Sequence, residues 1–523
     1  MGAILNYYRQ LQQFGQPKTE ERPAPAIDLA QIIQTPSRSF DIARVDRLTS
    51  SFLAPISTGD AELRNALAVA RARSRELERN NDYAKKFLGM CEINVVGRSG
   101  FTLKNLAKDP NGKLDKTAND QIEWEWWRWG RKGNCTVDGK LSFLGVQKLF
   151  IRTVARDGEF LARKIRGYKN PWRFALQILE ADVLDETYNQ EAGNNRNKIR
   201  MGVEYDEWDR PVAYHLRRKH PGDAYMTIAA GSPGERLRVP AADIIHCYIP
   251  DRSTQGRGVP WMHTAARRLN QVGEYEYAEV IAARLGASKM GFYEKTDPTG
   301  MGQYVGDEKD SAGNPISHAE AGTFEKLPPG YTFKSFEPNH PTTQFGAFIK
   351  ATLRGVSAGL GVSYNSLAND LEGVNFSSMR VGAIDERDNW KNLQSWMIED
   401  FLDQVFGDWL EMTLLTNRLS LPYSKYEKFN APDWRGRTFD WVDPQADIEA
   451  ELACVRAKWK TERQVVLERF NMDLEDLYAQ IAEDEKLKAK YGITSDFGEA
   501  VGKLAQQPAA PAKPEDEGGE NNE

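Results

Sequence analysis

The stretch WMHTAARRLNQVGEYEYAEVIAARLGASKM, residues 261–290, decides the fold. Its 30 residues include many alanines and no proline, so they predict one helix about 45 Å long. The apolar positions are small, and charged side chains lie all around the predicted helix. Such a helix cannot bury itself in the core of a single chain. We expect it to pack against copies of itself or to line a wet surface.

The residues that follow predict a stalk with a tip. Residues 291–341 are rich in Gly and Pro and contain short β-like runs (GFYEK, GTFEKL and YTFKSFEP), which predict a small projecting lobe. The run TTQFGAFIKATLRGVSAGL at 342–360 returns from this lobe as a second helix. The polar segment GVSYNSLANDLEGVNF (361–376) has no periodicity and two glycines, so it predicts a loop. Asn375 and Ser377 are candidate caps of the helix after it.

A region rich in short strands precedes the long helix. Six runs have period-2 or β-branched character: CEINVV (91–96), GFTLKN (100–105), GEFLARKI (158–165), FALQILE (174–180), KIRMGVEY (198–205) and PVAYHLRR (211–218). The last two alternate on either side of the reversal DEWDRP, which predicts a hairpin.

Two helices accompany these strands. The first begins near Gly59, and its apolar stripe comprises Leu63, Leu67, Ala70, Ser74 and Leu77. The arginines between these positions are expected on a solvated face. The second helix carries Trp124, Trp126, Trp127 and Trp129. A stacking platform for bases is one interpretation of these rings. Core and interface packing is favoured, because two opposite faces of the helix carry Trp.

The C-terminal part of the chain predicts helices. Apolar residues recur at spacings of three and four, as in a core helix, at Ile398, Phe401, Leu402, Val405, Phe406, Trp409 and Leu410. After FDWVDP, the runs DIEAELACVRAKWKTERQVVLERF and DLEDLYAQIAEDEKLKAKY predict two charged amphipathic helices in a separate unit. Residues 15–40 predict an extended arm, and the acidic residues after Ser495 predict a disordered tail.

Composition excludes several classes of protein. The chain has 523 residues, and none of its apolar runs approaches the ~18 residues of a membrane-spanning helix, so we expect no membrane association. Its four cysteines form no CxxC pair, so no metal, cofactor or disulfide framework is expected. The formal net charge is −6, and residues 440–523 carry 20 acidic against 10 basic side chains. Contact with nucleic acid must therefore come from a few placed cations.

Two patterns resemble catalytic ones. Residues 355–359, GVSAG, match the G-x-S-x-G nucleophile elbow, which requires a strand before the Ser and a His after it. A predicted helix precedes Ser357, a loop is predicted to follow, and the last histidine is His340, so we interpret the match as chance. Glu180, Asp182 and Asp185 in LEADVLD offer ligands for a metal-dependent nuclease. A strand end running into a capped turn is the favoured interpretation.

An ordered series of segments resembles the portal proteins of lambda-like tailed bacteriophages, from about residue 60 to 490. ARSRELERNNDYAKKFL and NVVGRSGF are similar to the opening helix and strand of that family. CTVDGKLSFLGVQKL, GEFLARK, LEADVLD, GVEYDEWDRPVAYH and IIHCYIPDRSTQGRGVP follow in order. The most specific segments are LRGVSAGLGVSYNSLANDLEGVNFSSMR and WVDPQADIEAEL. In LPPGY, Tyr331 stands where an acidic residue is usual in the family.

The resemblance implies an α+β portal fold in a ring of about twelve identical subunits. Its parts map onto this chain as an N-terminal arm (1–40), an α/β wing (41–260 and 376–442), two stem helices (261–290 and 342–361), a small β-containing clip (291–341), a tunnel loop (362–375), a helical crown (443–492) and an acidic tail (493–523). The ring would lie at the capsid portal vertex of the virion and pass double-stranded DNA without sequence specificity. It would be assembled in the host bacterial cytoplasm and would have no enzymatic activity.

The same resemblance implies which residues meet DNA and partners. The tunnel loop would present Asn365, Ser366, Asn369, Asp370, Glu372 and Asn375 to DNA. Candidate phosphate contacts on the stem are Arg267, Arg268, Arg284, Lys289, Lys350 and Arg354. The alternative for these cations is ion pairing between subunits with Glu274, Glu276 and Glu279. The clip residues Tyr293, Lys295, Lys326 and Tyr331 would dock the terminase large subunit and then the head-completion or tail connector proteins. The major capsid or scaffold protein is a further expected partner.

Two other functions stay open at this point. One is the metal-dependent nuclease that uses Glu180, Asp182 and Asp185. The other is a monomeric capsid-assembly scaffold that binds partner helices through residues 443–491. A conduit for DNA should carry few cations and read no base edges, because each added phosphate contact holds the duplex more firmly.

Overall fold

The structure is a computed structural model that describes residues 56–193, 197–225, 236–287, 291–295, 308–309, 315–316, 331–335, 344–372, 376–439 and 444–492. The arm at 1–40 and the tail at 493–523 lie outside these residues. The described helices and strands lie in the compact unit that begins at Thr58. None of its described helices has the length and apolar character needed to cross a membrane.

The described elements mix helices and short strands. The helices are α1 (Gly59–Leu63), α2 (Leu67–Asn80), α3 (Asp82–Cys91), α4 (Lys116–Trp129), α5 (Phe143–Asp157), α6 (Ala266–Ala287), α7 (Phe345–Leu360), α8 (Tyr364–Ala368), α9 (Phe376–Met397), α10 (Asp403–Leu415), α11 (Tyr426–Phe429), α12 (Pro444–Arg456), α13 (Glu462–Phe470) and α14 (Leu474–Tyr491). The strands are β1 (Thr102–Asn105), β2 (Phe160–Arg166), β3 (Phe174–Leu179), β4 (Lys198–Arg200), β5 (Val203–Tyr205), β6 (Pro211–Arg217), β7 (Arg236–Pro240), β8 (Ile244–Cys247), β9 (Gly291–Lys295), β10 (Glu308–Lys309), β11 (Pro315–Ile316), β12 (Tyr331–Ser335) and β13 (Pro432–Arg435).

The described strands form small antiparallel sheets. Two are the three-stranded β3-β2-β8 and the four-stranded meander β4-β5-β6-β7. The predicted hairpin is confirmed as β5 and β6, with Val203 opposite Tyr214 and a register shift between Glu204 and Tyr205. The remaining sheets are the pairs β1-β13, β9-β12 and β10-β11.

The main core lies among α3, α4, α5 and α10. The predicted core helix is confirmed, because Phe401, Leu402, Val405, Phe406, Trp409 and Leu410 are each 0% exposed. Its first residues, Ile398–Leu402, form one π-helical turn between α9 and α10. The tryptophans of α4 divide between core and surface. Trp126 and Trp129 pack against Trp409 in the core, whereas Trp124 and Trp127 are 58% and 53% exposed and stack on each other.

One predicted strand is wrong. CEINVV continues α3 as a π-helical turn, Glu92–Val96, instead of forming a strand. Phe87, Cys91 and Val95 are spaced by four residues and are all buried, so one helical face enters the core. The β-branched composition of the run is overridden by this packing.

The C-terminal unit has three helices, not the two predicted. The run from Asp447 to Phe470 breaks into α12 and α13 at residues 457–461, where Lys458 adopts a left-handed φ of 59°. Thr461 and Gln464 then form a capping box at the start of α13. Val466 is the only residue of these three helices that is buried among those described.

Candidate nucleic-acid interface

The two predicted stem helices are α6 and α7, which contact each other. The first turns of α6 bury Leu269 and Val272, each no more than 1% exposed, and Leu269 belongs to the main hydrophobic core. Beyond Val272 the environment of α6 changes. Tyr277 and Val280 are 69% and 56% exposed, and Glu279 is the one buried residue between Gly273 and Arg284. From Gly273 to Arg284, this helix therefore buries no apolar side chain among the described residues.

Two glycines let α7 approach the start of α6 closely. A Cβ at Gly355 would lie 2.6 Å from Arg268 Nη1, and one at Gly359 would lie 3.0 Å from Thr264 Oγ1. The Thr264 hydroxyl donates a hydrogen bond to the Gly359 carbonyl at 2.9 Å. The glycines of the GVSAG run thus serve helix packing.

The serine in that run is not placed as a nucleophile. Ser357 lies inside α7, is 3% exposed, and donates its hydroxyl to the Leu353 carbonyl at 2.9 Å. The prediction that a helix precedes it is confirmed. The helix continues past Ser357 to Leu360, as the predicted extent of the second stem helix requires.

Aromatic and polar contacts hold the stem against its surroundings. Tyr275 on α6 lies 5.7 Å from the Phe345 ring and 5.1 Å from the Phe348 ring of α7. The Tyr83 hydroxyl of α3 donates to Glu276 Oε1 at 3.1 Å. Burial and the neighbouring Glu276 carboxylate raise the pKa of Tyr83 to about 12. Glu276, a predicted partner of cations in a neighbouring subunit, therefore has a tyrosine partner within its own chain.

The structure places the predicted stem cations differently from one another. Arg267, Arg268, Arg284 and Arg354 are exposed, and Lys350 is partly exposed. The Arg354 guanidinium lies 5.6 Å from the centroid of the Tyr364 ring. Lys350 pairs with Asp370 at 3.3 Å and with Glu372 at 2.5 Å. Lys289 lies outside the described residues.

The predicted tunnel loop is partly helical. Ser363 caps the short helix α8 by accepting a hydrogen bond from the Ser366 amide at 3.2 Å. The helix ends at Asn369, which has a left-handed φ of 53°. The expectation of an irregular segment through 362–375 is wrong over these residues, because a Ser cap and the buried Leu367 suffice for one turn. Asn375 lies outside the described residues, so the predicted cap of α9 is not seen.

Side chains of this segment contact three helices. Ser366 donates its hydroxyl to Glu386 of α9 at 3.0 Å, and Lys86 of α3 donates to Asn369 Oδ1 at 3.0 Å. A groove of about 540 Å³ lies between the segment and these helices, with Ile93, Asn365, Leu371 and Phe439 in its lining. Leu371 is 64% exposed, and Asp370 and Glu372 face Lys350. The sequence did not single out Tyr364, although its hydroxyl holds Asp370 at 2.7 Å.

The predicted clip residues belong in part to one β-pair. Tyr293 and Lys295 lie on β9, and Tyr331 lies on β12 directly opposite Lys295. Lys326 lies outside the described residues. The short pair β10-β11 falls between these strands in the sequence. The β-containing character predicted for this segment is confirmed at these positions.

The carboxylates proposed for a nuclease are engaged by arginines. Asp182 pairs with Arg75 at 2.5 Å and with Arg71 at 3.4 Å, and these charges lower its pKa although burial opposes them. Asp185 pairs with Arg217 and Arg236, each at 2.6 Å, and does not face the other two carboxylates. Glu180, Asp182 and His220 do lie together.

One nitrogen of the histidine in that group is already engaged. His220 Nδ1 accepts the Gly222 amide at 3.0 Å, and Nε2 lies 3.0 Å from Glu180 and 3.7 Å from Asp182 without a hydrogen bond to either. With Asp182 already paired, this arrangement suits an ion-pair network better than a divalent cation.

A buried ion network in the wing was missed by the sequence analysis. Arg71, expected on a solvated face, is 1% exposed and pairs with Glu159 at 3.3 Å. Glu159 also binds Arg257, 0% exposed, with Arg257 Nε to Oε2 at 2.8 Å, and His246 at 2.9 Å. Burial alone would raise the pKa of Glu159, but Arg257 and His246 outweigh it and hold that pKa well below its usual range. Arg257 therefore fixes the segment that leads into α6 to the wing.

Comparison with known proteins places the chain in a family. The family described as "Phage portal protein, lambda family" matches residues 45–394. The chain belongs to the lambda family of phage portal proteins. A probable portal protein of Halomonas phage phiHAP-1 is 39% identical over 484 residues, covering 91% of this chain and 92% of that protein. Portal protein B of Escherichia phage lambda is 20% identical over 464 residues, covering 82% and 85%.

Among solved structures, a chain from the neck of an empty GTA particle is 12% identical and has a TM-score of 0.42. It covers 75% of this chain and 92% of its own length. Portal proteins are structural proteins of the phage particle, and the resemblance noted from the ordered motifs is confirmed by the family match.

Proposed function

We propose that this portal protein forms a ring-shaped channel at one capsid vertex through which double-stranded DNA is packaged and later ejected. The observation that carries the proposal lies in residues 273–284 of α6, which bury no apolar side chain among the described residues and leave Tyr277 and Val280 exposed. A long helix without its own core requires another surface to cover it. In a closed head-to-tail ring, every copy meets the same two neighbours, so one side of the stem is covered by the next subunit.

The charge of the stem suits a sliding duplex. Arg267 and Arg268 are exposed, and Lys350 is paired with carboxylates of its own chain. A stem with few cations makes few phosphate contacts. The affinity for DNA decreases as the number of these contacts decreases. Asn365, Ser366 and Asn369 would give the channel a polar, uncharged lining that reads no base edges. Ion pairs between subunits are the alternative role of the arginines.

Partner docking is proposed for the clip. Tyr293, Lys295 and Tyr331 of the β9-β12 pair, together with Lys326, would contact the terminase large subunit during packaging and the head-tail connector afterwards. The ring would assemble in the host bacterial cytoplasm, next to the capsid or scaffold protein, and remain in the virion. In this proposal the chain itself carries no catalytic group and needs no cofactor, because the packaging motor supplies the work.

The ring is tested by sedimentation and negative-stain imaging of the purified full chain. We expect a species near twelve subunits with a central opening wide enough for duplex DNA. A monomer at all concentrations would refute the ring. It would favour the monomeric scaffold, for which the sparsely buried helices α12, α13 and α14 are the supporting observation.

The nuclease alternative has its own test. It requires magnesium-dependent cleavage of plasmid DNA by the purified chain, and loss of that cleavage in Asp182→Ala. Intact plasmid at every magnesium concentration would eliminate it. Cleavage that persists in Asp182→Ala would point to a contaminating enzyme.

A further inference from the structure

Lys350 lies at the centre of a charged cluster between α7 and the segment after it. Its ammonium is 2.5 Å from Glu372 Oε2 and 3.3 Å from Asp370 Oδ2. The side chain remains 38% exposed, so solvent and solutes reach it. Two carboxylates on one side thus neutralise a cation that the stem would otherwise present.

The backbone of the segment aims these carboxylates at Lys350. Asn369 turns the chain with its left-handed φ of 53°, directly before Asp370. Asp370 then accepts the Tyr364 hydroxyl on Oδ2 at 2.7 Å and the Glu372 amide on Oδ1 at 3.0 Å. These bonds orient the carboxylate before any cation arrives, so the cluster is built rather than incidental.

Both charges persist over a wide pH range. The hydrogen bond from the Tyr364 hydroxyl lowers the pKa of Asp370. The hydrogen bonds to Glu372 and Asp370 raise the pKa of Lys350. The cluster is nevertheless exposed, and exposed ion pairs are weak and screened by salt. Its partners can therefore be exchanged for another anion.

A second cation lies one turn further along α7. Arg354 follows Lys350 by four residues, which places both on one helix face. Its guanidinium rests on the ring of Tyr364, the same residue that holds Asp370. Movement of residues 364–372 away from α7 would therefore separate both cations from their partners in this segment.

We propose that Asp370 and Glu372 mask a phosphate-binding site formed by Lys350 and Arg354, whose ligand is the phosphodiester backbone of duplex DNA. With the segment folded on α7, the carboxylates occupy Lys350 and the stem holds DNA weakly. With the segment displaced, the two cations contact phosphate and grip the duplex. This inference rests on the proposed channel function and specifies how the channel would change its hold on DNA.

The test measures DNA binding by the full chain after the charges of Asp370 and Glu372 have been removed by substitutions of the same shape. Asp370→Asn with Glu372→Gln is compared with wild type by fluorescence anisotropy on a random-sequence duplex, at a series of salt concentrations. We expect roughly three- to tenfold tighter binding near ~100 mM salt. The slope of log affinity against log salt should steepen by about one for each additional phosphate that the protein neutralises.

Two controls separate unmasking from a general change in charge. Glu468→Gln removes the ion pair between Glu468 of α13 and Lys460, which has the same 2.5 Å length. This variant should leave the affinity for DNA unchanged. Lys350→Gln added to the double variant should cancel the gain. If the triple variant binds as tightly as the double variant, the added affinity does not come from Lys350 and the inference is wrong.

The remaining outcomes are also decisive. Circular dichroism and sedimentation of each variant establish that it folds and assembles as wild type does. Rings whose DNA affinity and salt slope are unchanged by Asp370→Asn with Glu372→Gln would overturn the mask and leave the proposed channel intact. Wild-type chain that forms no ring would refute the channel and, with it, the mask.

Discussion

The wing and the stem of this portal protein use charge in opposite ways. In the wing, Arg71, Glu159 and Arg257 are at most 1% exposed, and both arginines pair with the Glu159 carboxylate. In the stem, Lys350 and its carboxylate partners remain accessible to solvent. Removing one member of a buried network strands a charge, whereas an exposed pair can be exchanged at little cost. The wing is therefore built to stay fixed, and the stem is built to accept other surfaces.

The largest expected effect is the loss of Arg257 from the wing. Arg257→Met leaves Glu159 buried with fewer donors and removes hydrogen bonds to the Met201 and Ala181 carbonyls at 3.0 and 3.2 Å. We expect the free energy of unfolding to fall by about 3–5 kcal/mol. Urea denaturation measures it. Arg268 in the stem is exposed, so Arg268→Met should change the free energy of unfolding by less than about 0.5 kcal/mol. Equal losses of unfolding free energy in the two variants would contradict the difference between wing and stem.

The next effect lies within α6 itself, where the contrast between buried and exposed halves is sharpest. Leu269→Ala opens a cavity in the core and should lower the free energy of unfolding by about 2–4 kcal/mol. Tyr277→Ala removes a side chain that is 69% exposed in the single chain, so unfolding of the subunit should be nearly unchanged. Its effect should appear in sedimentation, as weaker assembly. If Tyr277→Ala forms rings as readily as wild type, the face of α6 that carries Tyr277 does not contact the neighbouring subunit.

A smaller effect concerns pH and a carboxylate of the meander. Hydrogen bonds, first from Arg238 and then from Asn197 and His215, lower the pKa of Glu204 to about 2 from its usual 4.5 although burial opposes them. Because the folded pKa is depressed, this stabilisation is complete above pH 4.5 and is lost as pH falls toward 2.

The matching experiment compares Glu204→Gln with wild type between pH 5 and pH 2 by urea denaturation. Wild type should lose about 1–2 kcal/mol more than the variant over this range, after allowance for solvent screening. Asp370→Asn should show a smaller difference, because the contacts that lower the pKa of Asp370 are partly exposed to solvent. A pH profile of Glu204→Gln that parallels wild type would remove Glu204 from the stabilising network.

The sequence predicted the elements whose evidence is local. The alternation on both sides of DEWDRP specifies β5 and β6, and the spacing of three and four residues specifies α10. It also contained an unused signal, since Thr461 and Gln464 have the spacing of a capping box that separates α12 from α13. Local patterns also fail where packing overrides them, as at Cys91–Val96.

The ion network had no local signal. Arg71 and Arg257 meet Glu159 from 88 and 98 residues away in the sequence, and nothing in the neighbours of an arginine indicates such a partner. The interpretation of the arginines of α2 as a solvated face holds for Arg73 and Arg79, which are exposed, whereas the burial of Arg71 follows from topology. The same limit applies to Lys350, whose masking by Asp370 and Glu372 depends on the turn at Asn369.

The smallest effect on stability, and the most direct test of the stem, is a charge reversal in the segment after α7. Asp370→Lys removes one mask of Lys350 and adds a cation beside it, so the channel lining should hold phosphate more firmly. The variant should form rings as well as wild type, because the contacts that the structure gives Asp370 lie within its own segment and on α7. DNA packaging, measured as nuclease-protected DNA in an assembly reaction, should fall. The matched reversal Asp388→Lys, at another exposed ion pair on α9, should package normally. Loss of rings in Asp370→Lys would instead make the segment part of the assembly contact.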